Sequence, residues 1–292
     1  MILKDSRDFK NYIEKKQKKI NATLKKILPA KNKDILSKAI HYSVFSGGKR
    51  FRPILCVAAH EMFYPESDNI LIIASSIELF HTFTLIHDDL PCMDNDDYRR
   101  GKLTSHKVFG EPLALLAGDA LFNLGYEVIV NSKIPDKVKI KVIKEISRSL
   151  GTKGVVGGQA KDITTKKKNL SVKQLKEIYL GKTASLLEAS VKIGGLLAKA
   201  NTQKLNALSC YGKNLGLGFQ IMDDVIEAKE EKSKPARFEA GGEENYVTLF
   251  GLENAQKEAI KTINKAKDSL NIFGKNAKIL KFIADWCLER KN

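Results

Sequence analysis

Only seven prolines interrupt the 292 residues, and between them apolar side chains recur at three-and-four spacing, the period of a helix that buries one face. This pattern predicts an all-α chain. The clearest stripes are Ile70, Ile73, Ala74, Ile77, Phe80 and Thr84, and Leu252, Ala255, Ala259, Ile263, Ala266 and Leu270; both are expected to pack inward. The segment VKIKVI at 138–143 alternates like a strand for a few residues, but its neighbours restore helical spacing, so a helix is expected there and no strand ladder elsewhere. With 43% hydrophobic residues the chain can bury one large core or two small ones. No repeat or boundary interrupts it, and a single domain over 1–292 is expected.

Lys and Arg number 50 against 34 Asp and Glu, a formal charge of +16 that favours anionic partners. Exposed aromatic platforms do not interleave with the basic runs, which argues against nucleic acid as a partner. The Lys-rich first forty residues read as a solvated helix face, with lysine stems lying on apolar surface. Four cysteines, Cys56, Cys92, Cys210 and Cys287, form no C-x-x-C pair, so neither a zinc knuckle nor a disulfide framework is suggested. The opening MILKDSRDFK has no apolar signal-peptide stretch, and the greasiest run, Ile70 to Phe80, is short for a membrane span and carries Glu78. A cytoplasmic protein without membrane insertion is expected. From Lys229 to Gly242 the periodicity lapses into charges, Pro235, Gly241 and Gly242, which predicts a loop.

The first stripe runs into His87-Asp88-Asp89-Leu90-Pro91-Cys92-Met93-Asp94-Asn95-Asp96-Asp97. On a continuous helix Asp88 shares a face with Thr84 and His81, the face the stripe buries. Burying carboxylates is costly unless a cation neutralises them, so either these acids bind metal or this helix end is exposed. Pro91 should end or kink the helix and let Asp94 return towards Asp88, making an oxygen cluster suited to Mg²⁺.

A second acidic group, Gln220, Asp223, Asp224 and Glu227, lies along one helical stripe, with Phe219, Ile221, Met222, Val225 and Ile226 around it. It reads either as a second metal face or as the wet side of an amphipathic helix. Cations concentrate in Gly47-Gly48-Lys49-Arg50-Phe51-Arg52-Pro53, Arg99-Arg100-Gly101-Lys102 and Gly181-Lys182-Thr183, a supply that suits diphosphate. Two familiar phosphate motifs are excluded: Lys176 stands where a P-loop needs glycine, and Ile221 where a dinucleotide fold does.

Six ordered blocks now carry a resemblance: GGKRFRP at 47–53, HTFTLIHDDLPCMDNDDYRRG at 81–101, LAGDAL at 116–121, GGQAKD at 157–162, GKTASL at 181–186 and FQIMDD at 219–224. Over nearly its whole length the chain resembles the trans-isoprenyl diphosphate synthases, or polyprenyl synthetases, and in particular the bacterial short-chain enzymes that make farnesyl diphosphate. The resemblance implies an all-α isoprenoid synthase bundle around a deep cavity, a homodimer, and two facing aspartate-rich metal motifs. Asp88, Asp89 and Asp94 would form the first motif, and Asp223, Asp224 and Glu227 the second, with three Mg²⁺ ions holding an allylic diphosphate. Gly48, Lys49, Arg52, His81 and Arg100 fall where such enzymes bind isopentenyl diphosphate. Arg99, Lys182, Thr183 and Gln220 fall on the allylic side, and Lys182, Thr183, Gln220 and Asp88 are the expected catalytic set.

The resemblance also places chain-length control at Phe83, five residues before Asp88, followed by Thr84. A bulky floor there implies a fifteen-carbon product, farnesyl diphosphate; geranylgeranyl diphosphate is the alternative. The pattern departs at its end, where Glu227 replaces a third aspartate and Glu243 takes the place of a phosphate-binding lysine, with Lys229, Lys232, Lys234 or Arg237 as substitutes. That departure keeps a second reading open, a weakly catalytic subunit that modulates a prenyltransferase partner. A terpene cyclase would need no isopentenyl site, so the Lys49, Arg52 and Arg100 set disfavours it.

Overall fold

The computed structural model describes residues 6–28, 30, 33–165, 170–232 and 244–289. They form an all-α protein, as the periodicity predicts, and fall into two compact units: Met1–Val57 with Pro65–Ile143, and Ala58–Tyr64 with Lys144–Asn292.

The first unit takes in α1 (Ser6–Ile27), α2 (Ile35–Val44), the start of α3 (Phe51–Glu61), α4 (Asp68–Asp88), α5 (Ser105–Phe109), α6 (Glu111–Asn131) and the start of α7 (Asp136–Leu150). The alternating segment at 138–143 is thus helical. Asp34 caps α2, its carboxylate accepting the Ser37 amide at 2.7 Å. On α1 the buried Lys16 donates to Glu66 at 2.8 Å, and Phe9, Tyr12, Ile20 and Leu24 turn inward.

α4 buries more than the one stripe expected of it. Ile70, Ile73, Ala74, Ile77, Phe80 and Thr84 are buried, but so are Leu71, Ser75, Ser76, Glu78, Leu79, Thr82, Phe83 and Ile86 around the rest of the helix. A helix apolar nearly all round sits inside a core. Its one buried carboxylate before the acidic run, Glu78, accepts from Arg50 Nη1 at 2.7 Å, while Arg50 also donates to the Val44 carbonyl and to Asn21. α4 and α6 are both long and apolar enough by composition to cross a bilayer; 72% of the α4 window and 39% of the α6 window are buried in protein.

The structure corrects the expectation of no strand ladder. Tyr98–Arg99 (β1) and Lys102–Leu103 (β2) pair antiparallel around Arg100 and Gly101, whose φ angles are 55° and 74°. Two positive φ values in a two-residue turn match the right-handed twist of a hairpin.

The second unit contains α8 (Val155–Thr165), α9 (Val172–Tyr179), a π-helical turn (Leu180–Ala184), α10 (Ser185–Leu197), α11 (Thr202–Lys232), α12 (Tyr246–Phe250), α13 (Leu252–Ser269), a 3-10 turn (Asn271–Ala277) and α14 (Lys278–Glu289). On α13, Ala255, Ala259, Ile263 and Ala266 are buried, with Leu270 just beyond, as the stripe predicts. Lys229–Lys232 continue α11 instead of opening a loop, because Lys and Glu are good helix formers and Lys229 reaches Gln256. Positions 233–243, with Lys234, Pro235, Arg237, Gly241, Gly242 and Glu243, lie outside the described residues.

Gly216-x-Gly218, which fails as a nucleotide motif, is a packing device. A Cβ on Gly216 would stand 2.6 Å from the Ala184 Cβ, and one on Gly218 2.7 Å from Ile263. One turn earlier, a Cβ on Gly212 would meet the Glu188 backbone nitrogen at 3.0 Å. Bare backbone lets α11 lie directly on α10 and on the π turn.

Candidate active site

In the first unit, α4 ends at Asp88 and is capped by Asp89, three residues before Pro91 would obstruct it. The chain then turns back: the Asp94 amide donates to the Asp88 carbonyl at 2.9 Å, and Asn95, with φ at 54°, donates to the Leu90 carbonyl at 3.1 Å. Asp88 and Asp94 therefore sit at the two ends of one closed loop, as the proline argument anticipates.

Asp89 differs from its neighbours. It is 4% exposed, and Arg99 Nε donates to it at 2.5 Å while Arg99 Nη2 donates to Asp96 at 3.0 Å. Burial pushes the Asp89 carboxyl up to about 6, with Arg99 opposing the rise. Arg99, assigned to the allylic diphosphate by resemblance, here neutralises the first acidic run.

Four arginines, Arg52, Arg100, Arg99 and Arg50, act on His81. Arg52 Nη1 lies 3.0 Å from His81 Nε2. Because guanidinium only donates, Nε2 must accept and the ring is neutral with its proton on Nδ1. Burial, then Arg52, Arg100, Arg99 and Arg50, hold the His81 pKa well below its ordinary value. Arg100 Nη1 donates to the Gly47 carbonyl at 2.6 Å, and its guanidinium crosses the face of Gly48 so closely that a Cβ there would stand 2.6 Å from Cζ. Gly48 also has φ at 110°, so this position needs glycine twice over. Lys49 is exposed beside them. A small pocket of about 30 Å³ in this unit is lined by Tyr42, Ser46, Thr82, Asp89, Arg99 and Arg100 among others.

Phe83 is buried on α4. Its ring meets Phe122 of α6 edge-on at 5.0 Å and His87 at 5.7 Å, and Phe122 in turn meets Phe80 and Tyr126. Five aromatic rings thus form one wall; Thr84 beside them donates its hydroxyl to the His81 carbonyl.

In the second unit the π turn presents Lys182 and Thr183 side by side. Such wide turns recur where a helix places functional groups. Lys182 Nζ donates to Asp162 of α8 at 2.6 Å, and the Thr183 hydroxyl donates to Gln220 Oε1 of α11 at 2.8 Å. Gly216, one turn before Gln220, allows the approach that closes this second bond.

Asp224 turns away from solvent. Its Oδ2 accepts from the Tyr179 hydroxyl at 2.6 Å and from the Tyr246 amide at 3.0 Å, tying α11 to α9 and α12. Burial raises its pKa to about 6, opposed by the Tyr179, Tyr246 and Gln220 hydrogen bonds. The Tyr179 phenol is raised in turn, by burial and then by the Asp224 charge. Asp223 is half-buried and Glu227 exposed, so the stripe read as one acidic face is divided between interior and solvent. Among the described residues, no three acidic, histidine or cysteine side chains gather into a ready-made metal cage.

Sequence reasoning left four participants without a role: Arg50, Asp162, Tyr179 and Tyr246. Asp162 had a signal, a carboxylate closing the small-residue block GGQAKD; the two tyrosines had none beyond their nearness to GKTASL and to the departing end of the pattern.

Residues 33–280 match the polyprenyl synthetase family. The chain is 40% identical over 287 residues to a dimethylallyltranstransferase of Fischerella ambigua, covering 96% of this chain and 83% of that one. It is 38% identical over 291 residues to a geranylgeranyl diphosphate synthase of Cyanophora paradoxa, covering 96% of each. A crystal structure of an FPP/GFPP synthase from Zymomonas mobilis superposes with a TM-score of 0.88 at 32% identity, covering 97% of this chain and all of that one. A geranyltransferase from Legionella pneumophila gives 0.85 at 33% identity, with 97% and 98% covered. The chain belongs to the polyprenyl synthetase family and is a short-chain trans-prenyltransferase.

Proposed function

We propose that the enzyme condenses isopentenyl diphosphate with dimethylallyl and then geranyl diphosphate and stops at farnesyl diphosphate. The observation that carries the product length is Phe83, a buried ring five residues before Asp88, braced by Phe122 and His87.

Magnesium fits the residues present. Asp88, Asp94, Asp223 and Glu227 offer only hard oxygen donors, and the lack of a preformed cage among the described residues suits an ion that keeps several waters and completes its shell with substrate phosphates. Asp89 and Asp224, buried and hydrogen-bonded, would hold the two runs in place. Three ions are proposed, by resemblance. When bound, the metal supplies charge neutralisation at the diphosphate that departs.

The chain's own groups do the rest. Lys182 and the Thr183–Gln220 pair bind the allylic diphosphate, with Arg99 beside the first acidic run. Arg52, Arg100 and Lys49 bind isopentenyl diphosphate; neutral His81 orients Arg52, and Gly48 leaves room for Arg100. As the allylic carbon–oxygen bond lengthens, positive charge grows on that carbon and the isopentenyl double bond attacks it. A proton is then lost to the departing diphosphate. No protein nucleophile is required, and holding both reactants in place contributes much of the rate.

We further propose a homodimer in the cytoplasm. Leu115, Leu116, Phe122 and Val130 leave apolar surface exposed along α6, which a second copy would cover. Cys56, Cys92 and Cys210 form no disulfide among the described residues, as in a reducing compartment.

Incubation with Mg²⁺ and both substrates, followed by hydrolysis and separation of the alcohols, tests the reading. Farnesol as the main product is expected, and no elongation would overturn the enzymatic assignment. Geranylgeraniol would support the second reading, which similarity to relatives such as the Cyanophora paradoxa geranylgeranyl diphosphate synthase favours.

A further inference from the structure

The block GGQAKD contains a glutamine that the mechanism leaves without a task. On α8, Val155, Gly158, Gln159 and Asp162, at successive spacings of three, one and three, share a face. That face lies on the π turn. A Cβ on Gly158 would stand 2.6 Å from the Gly181 carbonyl carbon and 2.9 Å from the Lys182 Cα, and Asp162 holds the Lys182 ammonium at 2.6 Å. Gln159 lies between these two contacts. It is 6% exposed, and neither its amide nitrogen nor its amide oxygen has a hydrogen-bond partner among the described residues.

Burying a carboxamide in that state is unfavourable, and an apolar side chain of similar size would serve the core better. The amide needs a second arrangement of its surroundings to be worth carrying. Lys182 provides one. When Lys182 leaves Asp162 for a phosphate oxygen, Asp162 becomes a carboxylate without its cation beside an incoming anion. Gln159 stands three residues away on the same helix face, a spacing at which glutamine and aspartate hydrogen-bond.

We infer that Gln159 is a positioning residue for the allylic diphosphate, taking over Asp162 when Lys182 turns to the substrate. Its Nε2–H donates to the freed carboxylate, so Asp162 neither draws Lys182 back nor stands bare against the phosphate. The inference rests on the reading of Lys182 as an allylic diphosphate ligand.

Steady-state kinetics and thermal unfolding of full-length Gln159→Leu and Gln159→Met test it. The melting temperature should hold or rise, because two unsatisfied polar groups are removed. The KM for geranyl diphosphate should rise about tenfold or more, the value of a hydrogen bond to a charged group, while the KM for isopentenyl diphosphate holds. Adding Asp162→Asn to Gln159→Leu should bring the allylic KM back towards the starting value, since a neutral amide no longer repels the anion. A lower melting temperature with an unchanged allylic KM would assign Gln159 a purely structural role and overturn the inference. Lys182→Ala separates the two levels: if it raises the allylic KM and Gln159→Leu does not, the Gln159 inference alone fails. Should Lys182→Ala also leave it unchanged, the Lys182 assignment fails and takes the inference with it.

Discussion

The Asp94 amide donates to the Asp88 carbonyl across 2.9 Å, closing the loop that follows α4. The closure depends on Asn95, which holds a left-handed backbone at φ 54° and donates to Leu90. Asn95→Val should cost about 1–2 kcal/mol, the penalty of left-handed backbone for a residue with a branched Cβ, whereas Asn95→Gly should cost little. Denaturant midpoints check the difference, and kcat should fall further for the valine variant because Asp94 loses its place.

Gly48→Ala places a methyl group against the Arg100 guanidinium in a backbone region that alanine avoids. A strain of about 1–3 kcal/mol is expected, with Arg100 displaced. The KM for isopentenyl diphosphate should rise while that for the allylic substrate holds; equal rises in both would refute a role confined to one diphosphate.

His81 makes stability depend on pH in a definite sense. Its pKa is held well below 6.5 in the folded protein, so the unfolded chain binds the extra proton. The stability it contributes is present above that value and lost as the pH falls below it. His60, lowered by burial, acts in the same direction. Asp89 and Asp224, raised to about 6, act oppositely: their burial weakens the fold above that pH, and the cost fades as the pH falls towards 3.8. His81→Asn should therefore flatten the fall in melting temperature between about pH 7.5 and 5.5. An unchanged slope would show that the ring is not held neutral.

The two aspartates of the second run should separate by readout. Asp224→Ala strands the Tyr179 hydroxyl and the Tyr246 amide that share this acceptor, at about 1–3 kcal/mol for each buried donor and partly offset by removal of the buried carboxylate, so the melting temperature should drop. Asp223→Ala should lower kcat with little change in melting temperature. Similar melting curves for the two variants would contradict this division.

Phe83→Ala should lengthen the product and cost about 3–5 kcal/mol for a truncated buried ring. Phe83→Leu should do less of both. Chromatography of the hydrolysed alcohols reads the first effect, and unchanged product length would remove Phe83 from chain-length control.

Much of this architecture was legible in the pattern of the chain. Apolar spacing placed the α4 and α13 stripes, and Pro91 explained both the end of α4 and the return of Asp94. Periodicity could not show that α4 is enclosed on nearly every side, because its serines and threonines count as polar although Ser76 and Thr82 satisfy their hydroxyls on the helix's own carbonyls. Nor could it divide Asp223 from Asp224, adjacent residues whose different fates depend on Tyr179 and Tyr246, 45 and 22 positions from Asp224 along the chain. The Arg100-Gly101 turn carried a hairpin signal in its glycine, but strands of two residues leave no alternation to detect.

The glycines along α11 set a limit on how this enzyme can change. Where two helices meet through side chains, a substitution can be absorbed by a neighbouring rotamer; where main chain meets main chain, as at Gly216 and Ala184, the smallest addition must move a whole rod. Gln220 rides on that rod one turn further along, so its grip on Thr183 is governed by atoms that never approach a substrate. Variation in substrate preference should accordingly collect on the walls around the reacting groups, while the spine that aims them stays bare.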